Sequence, residues 1–353
     1  MKQLDIRQWR LFSQRIHGPK SADPNETVAW MGAIQAQSLT SALQAVAVRT
    51  QDCSVAEVAA ALSGTATVRT WPMRTTLHLV PAVDAAALSA LTEKQTHRAV
   101  WKRAERLGID TEILTRAQQT FTRHALDHPE LTRQQLFEMW SKHGIPASGP
   151  AAGHLVTMLC REGAMAQRVT NTRKPDICFV DLARVNSDVP RDETSTALRT
   201  TSRYFLSHGP ATARDFARWT GLNLTTVKQL MDQIDSLDNF EHEGEQYWFD
   251  PSLPELVTRY KTATPSVVLL PGFDEIILGY ANRTPTIDKE HEAQVNPGGN
   301  AVYKPFALRG GKAFALWEWD NPSETASATI KPFPNAAPIA KSEMEAASRA
   351  FPR

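Results

Sequence analysis

Residues 54–80 read SVAEVAAALSGTATVRTWPMRTTLHLV, and their hydrophobic period changes halfway through the stretch. Ser54 and Glu57 form a capping box, which predicts a helix over residues 55–62. The residues that follow are rich in β-branched and aromatic side chains and predict two strands, separated by a turn at residues 72–74. Helices followed by such a hairpin form the outline of a winged helix.

The same order of helices and a hairpin recurs twice further along the chain. In the second copy a helix opens at Thr132, another helix follows, and a hairpin is predicted over residues 166–180. In the third copy Thr212 caps a helix, and the dipeptide Glu243-Gly244 marks a hairpin turn. Three copies of this outline indicate tandem winged helices.

From Pro265 onward strand patterns replace the helical ones, over residues 267–270, 276–280, 301–308 and 313–319. They predict a small β-barrel or sandwich, of which we favour the barrel. The predicted fold class is therefore α+β, with three tandem winged-helix units followed by a C-terminal β-barrel. The predicted domains are the three winged helices and the barrel, in that order, over residues 1–92, 93–185, 186–255 and 256–353.

Composition and motifs argue against several classes of protein. Apolar runs such as residues 45–48 and 267–270 are far shorter than the ~20 residues that span a membrane, and the charged first residues carry no secretory signal. We therefore expect a cytoplasmic protein without a membrane partner, whose three cysteines are reduced thiols. The sequence lacks a phosphate loop, a Cys-x-x-Cys pair and a Gly-x-Ser-x-Gly elbow, which argues against a metal hydrolase or an acyl-transfer enzyme.

The net charge of the whole chain is +1, but the charge is unevenly distributed. Residues 1–110 carry a net charge of +4, and residues 184–255 carry a net charge of −5. A polyanion is attracted to the first segment and repelled from the second. Tandem winged helices occur mostly in DNA-binding proteins, so the charges predict DNA binding towards the N-terminal part. A non-catalytic interaction scaffold is the alternative on architecture alone.

The triplet Gln35-Ala36-Gln37 is the first candidate site, and it follows a predicted helix over residues 28–34. Two amides at positions i and i+2 point about 200° apart on a helix, but to one side of an extended segment. If both glutamines act on one ligand, the helix must end near Gln35. The alternative is that they bond to the free carbonyls at the helix end.

The hairpin of residues 66–80 carries a second group of candidates. Alternation along its strands places Arg69 and Trp71 on one face of the first strand and His78 on a face of the second. Arg74 lies near the tip, where an arginine reaches a phosphate or the minor groove. We predict that these four residues bind DNA; the alternative is that Trp71 and His78 belong to the core.

The third candidate is the motif Leu270-Pro-Gly-Phe-Asp-Glu275, which is followed by Arg283. Its Pro-Gly turn places Asp274 and Glu275 at the mouth of the predicted β-region. Asp274 and Arg283 are predicted as a second candidate site. For Asp274, pairing with Arg283 or capping a loop is favoured over catalysis.

Together, the Gln-Ala-Gln triplet, the hairpin motif and the Pro-Gly-Phe-Asp-Glu motif resemble, in sequence and in order, the AlkZ/YcaQ-type DNA glycosylases. The resemblance covers nearly the whole chain. It implies three tandem winged helices and a C-terminal β-barrel that form a concave DNA-binding surface. It also implies excision of N7-alkylated purines and, in some members, unhooking of interstrand crosslinks. The family signature, two glutamines around an apolar residue, implies that Gln35 and Gln37 are catalytic.

The chemistry that the resemblance implies suits an amide side chain. Alkylation at N7 leaves the purine positively charged, so the base departs as a neutral group without protonation. The enzyme then has to position a water and to stabilise an oxocarbenium-like sugar. We expect Gln37 to position the water and Gln35 to hold water or the sugar-phosphate beside it. No metal or organic cofactor is expected.

The expected partner is double-stranded DNA with alkylated bases, bound by a monofunctional glycosylase that acts as a monomer. The alternative function is a winged-helix transcriptional regulator, which binds DNA by base readout without catalysis. Such a regulator is usually a dimer on a symmetric site, and the sequence shows no heptad seam.

Overall fold

The structure is a computed structural model, and it describes residues 6–172, 174–185, 193–299, 302–320 and 327–353. Within these ranges the chain has a mixed α+β fold with antiparallel sheets. The helices are α1 (Ile6–Ser13), α2 (Pro24–Met31), α3 (Leu39–Arg49), α4 (Val55–Leu62), α5 (Ala82–Arg106), α6 (Thr111–His124), α7 (Arg133–Lys142), α8 (Gly149–Arg161), α9 (Leu182–Val185), α10 (Glu193–His208), α11 (Ala213–Thr220), α12 (Leu224–Met231), α13 (Leu253–Tyr260), α14 (Glu275–Leu278), α15 (Lys289–Val295) and α16 (Lys341–Ala350). The strands are β1 (Ile34–Gln35), β2 (Thr67–Met73), β3 (Thr76–Pro81), β4 (Met165–Val169), β5 (Ile177–Asp181), β6 (Asp238–His242), β7 (Glu245–Phe249), β8 (Val267–Leu270), β9 (Phe306–Arg309), β10 (Lys312–Trp319) and β11 (Ala328–Pro332).

The order of two helices and a hairpin recurs three times along the chain, as α3–α4–β2–β3, α7–α8–β4–β5 and α11–α12–β6–β7. Capping boxes explain where two of these helices begin. At α4 the backbone N–H of Glu57 donates to Ser54 Oγ, and the Glu57 carboxylate accepts from the backbone N–H of Ser54. Thr132 and Gln135 form the same reciprocal pair at the start of α7. Both helices therefore begin where their capping boxes predicted.

The described residues cluster into two compact units. Unit 2 contains residues 59–199 and 220–222, and its strands lie in the order β3–β2–β4–β5. Arg69 of β2 is in register with Gln167 of β4, so the hairpins of the first two repeats share one sheet. The core of this unit lies among α5, α6, α7 and α8 and includes the fully buried Trp140.

Unit 1 contains the described residues up to 58, residues 200–219 and the described residues from 223 onward. Its four-stranded sheet has the order β11–β10–β9–β8, and β6 and β7 form a separate hairpin. Helices α3 and α16 pack against the edge strand β8, and α16 also contacts β11. The apolar core of the sheet includes Phe306 and Trp317, both buried.

The strands β8–β11 form an open sheet in the part of the chain that the structure describes, rather than the closed barrel predicted from the sequence. Residues 276–280 were predicted as a strand, but Ile276 to Leu278 belong to the short helix α14. The carboxylate of Asp274 starts this helix by accepting from the backbone N–H of Ile276 at 2.9 Å. A short run of buried apolar residues has the same pattern in a helix and in a strand, so the sequence could not separate the two.

Among the helices named above, none is both long enough and apolar enough to cross a membrane.

Candidate functional site

The Gln-Ala-Gln triplet lies in a non-helical segment between α2 and α3, both in unit 1. Helix α2 ends at Met31, and Gly32 follows it with a φ of 74°, a conformation that favours glycine. Helix α3 begins after Ser38, whose Oγ accepts from the backbone N–H of Ser41. The predicted break in the helix is confirmed, although α2 ends three residues before the predicted position at Ile34.

The two glutamine side chains differ in burial. Gln35 is 6% exposed and Ala36 is fully buried, whereas Gln37 is exposed. If the Gln37 side chain were packed inward, it could not contact a ligand. It is exposed instead. Gln37 can therefore reach a bound molecule, while Gln35 lies below the surface.

A buried carboxylate holds the backbone of this segment. Oε1 of Glu275 accepts from the backbone N–H of Gln35 at 2.8 Å, and Oε2 accepts from Nε1–H of Trp219 at 3.0 Å. Glu275 is 1% exposed, and Trp219 is fully buried. Both oxygens of one carboxylate are thus engaged by N–H donors, which compensates for part of the cost of burying the charge.

The imidazole of His208 lies beside this carboxylate. Its Nε2 is 3.7 Å from Oε2 of Glu275, and its ring stacks on Tyr204 with the centroids 4.6 Å apart. Burial lowers the pKa of His208, and the neighbouring Glu275 opposes this effect only in part. His208 is therefore neutral at pH 7, and Glu275 faces a neutral ring rather than an imidazolium.

Asp274 makes a buried ion pair with Arg49 rather than with Arg283. The guanidinium of Arg49 donates to both carboxylate oxygens, at 2.8 and 2.9 Å, and the two side chains are 1% and 0% exposed. Arg49 also donates to Gln14 Oε1 at 2.7 Å. Asp274 thus has both structural roles considered from the sequence, pairing and capping, but with a different partner.

Arg283, the predicted partner of Asp274, lies elsewhere in unit 1. Its guanidinium carbon is 5.6 Å from the ring centroid of Tyr303, in a cation–π arrangement. Burial lowers the pKa of Arg218, and the positive charge of Arg283 lowers it further. The predicted pair of Asp274 and Arg283 is therefore not one site: Asp274 binds Arg49 and Arg283 faces an aromatic ring.

The predicted DNA-binding residues of the β2–β3 hairpin lie in unit 2, and two of them, Arg69 and His78, are buried. Arg69 is 9% exposed, and its guanidinium donates to Gln167 Oε1. Burial lowers the pKa of Arg69 to about 10, so the side chain stays charged at pH 7. His78 is 0% exposed, and the half-buried Trp71 packs against the core. These three side chains fix the hairpin in its sheet.

Arg74 occupies the hairpin tip, as predicted from the sequence. Arg74 and Thr75 have φ angles of 51° and 57°, and the flanking residues Met73 and Thr76 are paired, which makes a two-residue turn. The Arg74 side chain is half-buried and lies near Gly221, where an added Cβ would be 3.2 Å from Cγ of Arg74. Nε and Nη2 of the guanidinium are buried as well, so the stem and part of the head of Arg74 pack on the protein.

Trp219 and His208 were not predicted as site residues from the sequence, and Glu275 was named only as part of a motif. All three lie at the triplet because of contacts between residues far apart in the chain, and no local spacing predicts such contacts. Among the described residues, no group of three or more His, Cys, Asp or Glu side chains could hold a metal ion.

Comparison with known proteins identifies the family. A sequence model of the DNA glycosylase AlkZ-like family matches residues 28–353, which include the triplet, the hairpin and the Asp274-Glu275 dipeptide. The chain belongs to the AlkZ-like DNA glycosylases. The resemblance predicted from the sequence motifs is therefore confirmed.

Two comparisons with single proteins agree with this assignment. An "Interstrand DNA cross-link repair glycosylase" of Streptomyces sahachiroi is 23% identical over 370 residues, which cover 96% of this chain and 93% of the relative. The solved structure of the Streptomyces sahachiroi DNA glycosylase AlkZ has the same fold, with a TM-score of 0.77 at 20% identity over 99% of this chain and 97% of that one.

Membership of the AlkZ-like family sets the class of reaction. DNA glycosylases hydrolyse the N-glycosyl bond between a base and its sugar, so DNA is the substrate. The comparisons do not support the alternative of a transcriptional regulator.

Proposed function

We propose that this AlkZ-like glycosylase excises N7-alkylated purines from double-stranded DNA, with interstrand crosslinks among its substrates. The observation that carries the proposal is the exposed Gln37 in a non-helical segment, whose backbone is held by a buried carboxylate. The description of the Streptomyces relative as a cross-link repair glycosylase supports the choice of substrate.

In the proposed reaction Gln37 orients the attacking water. An N7-alkylated purine is already a cation and leaves as a neutral base, so the reaction needs no general acid. The amide oxygen of Gln37 accepts a hydrogen bond from the water and offers partial negative charge to the oxocarbenium-like sugar. Gln35, below the surface, supports the water or the sugar-phosphate from the same segment. Amides do not form a Schiff base, which favours a monofunctional enzyme without lyase activity.

For DNA binding we propose the hairpin and the positively charged N-terminal part of the chain. Arg74 at the tip is the proposed phosphate or minor-groove contact, and the half-buried Trp71 lies three residues before it, on β2. Arg69 and His78 support the hairpin from inside the sheet, because both are buried. The three repeats of two helices and a hairpin are the proposed winged helices. We also propose that the protein acts as a monomer.

The decisive experiment is single-turnover excision of N7-methylguanine from a defined duplex, read out as strand cleavage after heat or alkali. We expect Gln37→Ala to abolish or nearly abolish excision above the protein-free background, with the melting temperature within a few degrees of wild type. Gln51→Ala is the matched control, since Gln51 is also an exposed glutamine of unit 1. A wild-type rate in Gln37→Ala would refute the assignment of Gln37.

A further inference from the structure

The hydrogen bond from the Gln35 backbone to Glu275 joins residues 240 positions apart in the chain. Gln35 lies outside the helices, where a buried N–H needs an acceptor from elsewhere. We propose that Glu275 is a positioning residue, whose carboxylate fixes the backbone that presents Gln35 and Gln37 to the DNA. The inference rests on the proposed function, because it assigns a role in the same site.

The carboxylate of Glu275 is restrained in two directions. Its Oε1 is bound by the Gln35 N–H of β1 at 2.8 Å, and its Oε2 is bound by the Trp219 indole of α11 at 3.0 Å. Rotation of the carboxylate breaks one of these bonds. At 1% exposure Glu275 does not reach water or DNA itself. Its influence on the rate therefore passes through the backbone that it holds.

The neighbouring carboxylate holds the helix that follows the triplet. Helix α3 begins at Leu39, and its Arg49 donates to both oxygens of Asp274. Asp274 and Glu275 are adjacent, so one dipeptide binds the backbone of Gln35 and the last residue of α3, the helix that begins two residues after the triplet. A catalytic group that moves by about 1 Å loses about a hundredfold in rate, so such restraint matters to catalysis.

Glu275→Gln tests the proposal with little change in size. The amide offers one oxygen and one NH₂ group, so either Gln35 or Trp219 loses its acceptor and faces a donor. We expect single-turnover excision of N7-methylguanine to fall about ten- to hundredfold. The Kd for the duplex should change less than about twofold, and amide hydrogen exchange at Gln35 should accelerate. A wild-type rate, or a Kd that rises enough to explain the lost activity, would overturn the proposal.

Asp215 offers a matched control in the same unit. It is 1% exposed, and its carboxylate accepts from the backbone N–H groups of Thr212 and Ala281 at 2.9 and 2.8 Å. Asp215→Asn should lower stability without changing the rate at saturating protein or the exchange at Gln35. If Glu275→Gln and Asp215→Asn lose equal amounts of rate at an equal loss of melting temperature, Glu275 only stabilises the fold, which would contradict the inference.

If Glu275→Gln does not fold, Trp219→Phe replaces it. This variant keeps a ring but removes the donor to Oε2 of Glu275, and we expect a several-fold loss of rate at unchanged Kd. A wild-type rate in Trp219→Phe would then overturn the proposal. The proposed function and the role of Glu275 fail on different results. An inactive wild-type protein refutes the proposed function, whereas unchanged exchange at Gln35 in the variants refutes the role of Glu275.

Discussion

The ion pair of Arg49 and Asp274 gives the sharpest stability prediction. In Asp274→Asn the buried guanidinium of Arg49, which is 1% exposed, loses its bidentate ion pair with a carboxylate. Breaking a buried pair by removing one partner costs about 3–5 kcal/mol. The new amide still has one acceptor oxygen, and Arg49 keeps its bonds to Gln14 and to the carbonyl of Ala45. We therefore expect a loss at the lower end of this range, about 3 kcal/mol in the free energy of unfolding.

The assay is urea unfolding followed by tryptophan fluorescence. With an m-value of about 3 kcal/mol/M, a loss of about 3 kcal/mol lowers the urea midpoint by about 1 M. Arg283→Met is the control, because Arg283 was the partner predicted from the sequence and lies instead against Tyr303. It should cost about 1–2 kcal/mol, as for a half-buried cation–π contact. A loss below about 1 kcal/mol in Asp274→Asn, or an equal loss in Arg283→Met, would refute this account of the pair.

Two further predictions concern DNA binding and pH. Arg74→Ala should weaken binding to duplex DNA and reduce its salt dependence in a fluorescence-anisotropy titration. Arg214 is 71% exposed in the acidic segment, and Arg214→Ala should leave both the binding and its salt dependence unchanged. Equal effects of the two substitutions would show that DNA does not bind at the hairpin. Burial and the charge of Lys20 lower the pKa of His17 from 6.5 to about 4. Because the unfolded chain binds this proton at a higher pH than the folded one, stability falls as the pH drops from 6.5 towards 4. The loss should be about 2 kcal/mol between pH 7.5 and 5, and His17→Gln should remove it from urea unfolding curves; an unchanged pH dependence would contradict it.

The features of the fold that could be predicted from the sequence are those with local determinants. The capping box of Ser54 and Glu57 fixed the start of α4, and the i, i+2 spacing of Gln35 and Gln37 predicted a break between two helices. Both features depend on residues within a few positions of each other. The order of helices and hairpins followed from the same local signals.

Features that depend on contacts between distant residues could not be predicted from the sequence. The apolar run after Asp274 fits a strand as well as a helix, and the cap at Asp274 selects the helix, so the predicted barrel lost one of its strands. The partner of Asp274 was sought nearby, at Arg283, but it is Arg49, 225 residues away. Glu275 was overlooked as a support of Gln35 for the same reason.

The separation of Gln35 and Glu275 sets an order of events during synthesis. The two residues are 240 positions apart, and a ribosome adding about 5–20 residues per second takes roughly 10 to 50 seconds to cover that distance. Throughout this interval the nascent chain carries its glutamines without the carboxylate that holds their backbone. The site is therefore completed only once the chain has been made beyond residue 275, so an unfinished chain does not present the glutamines to DNA in their final geometry.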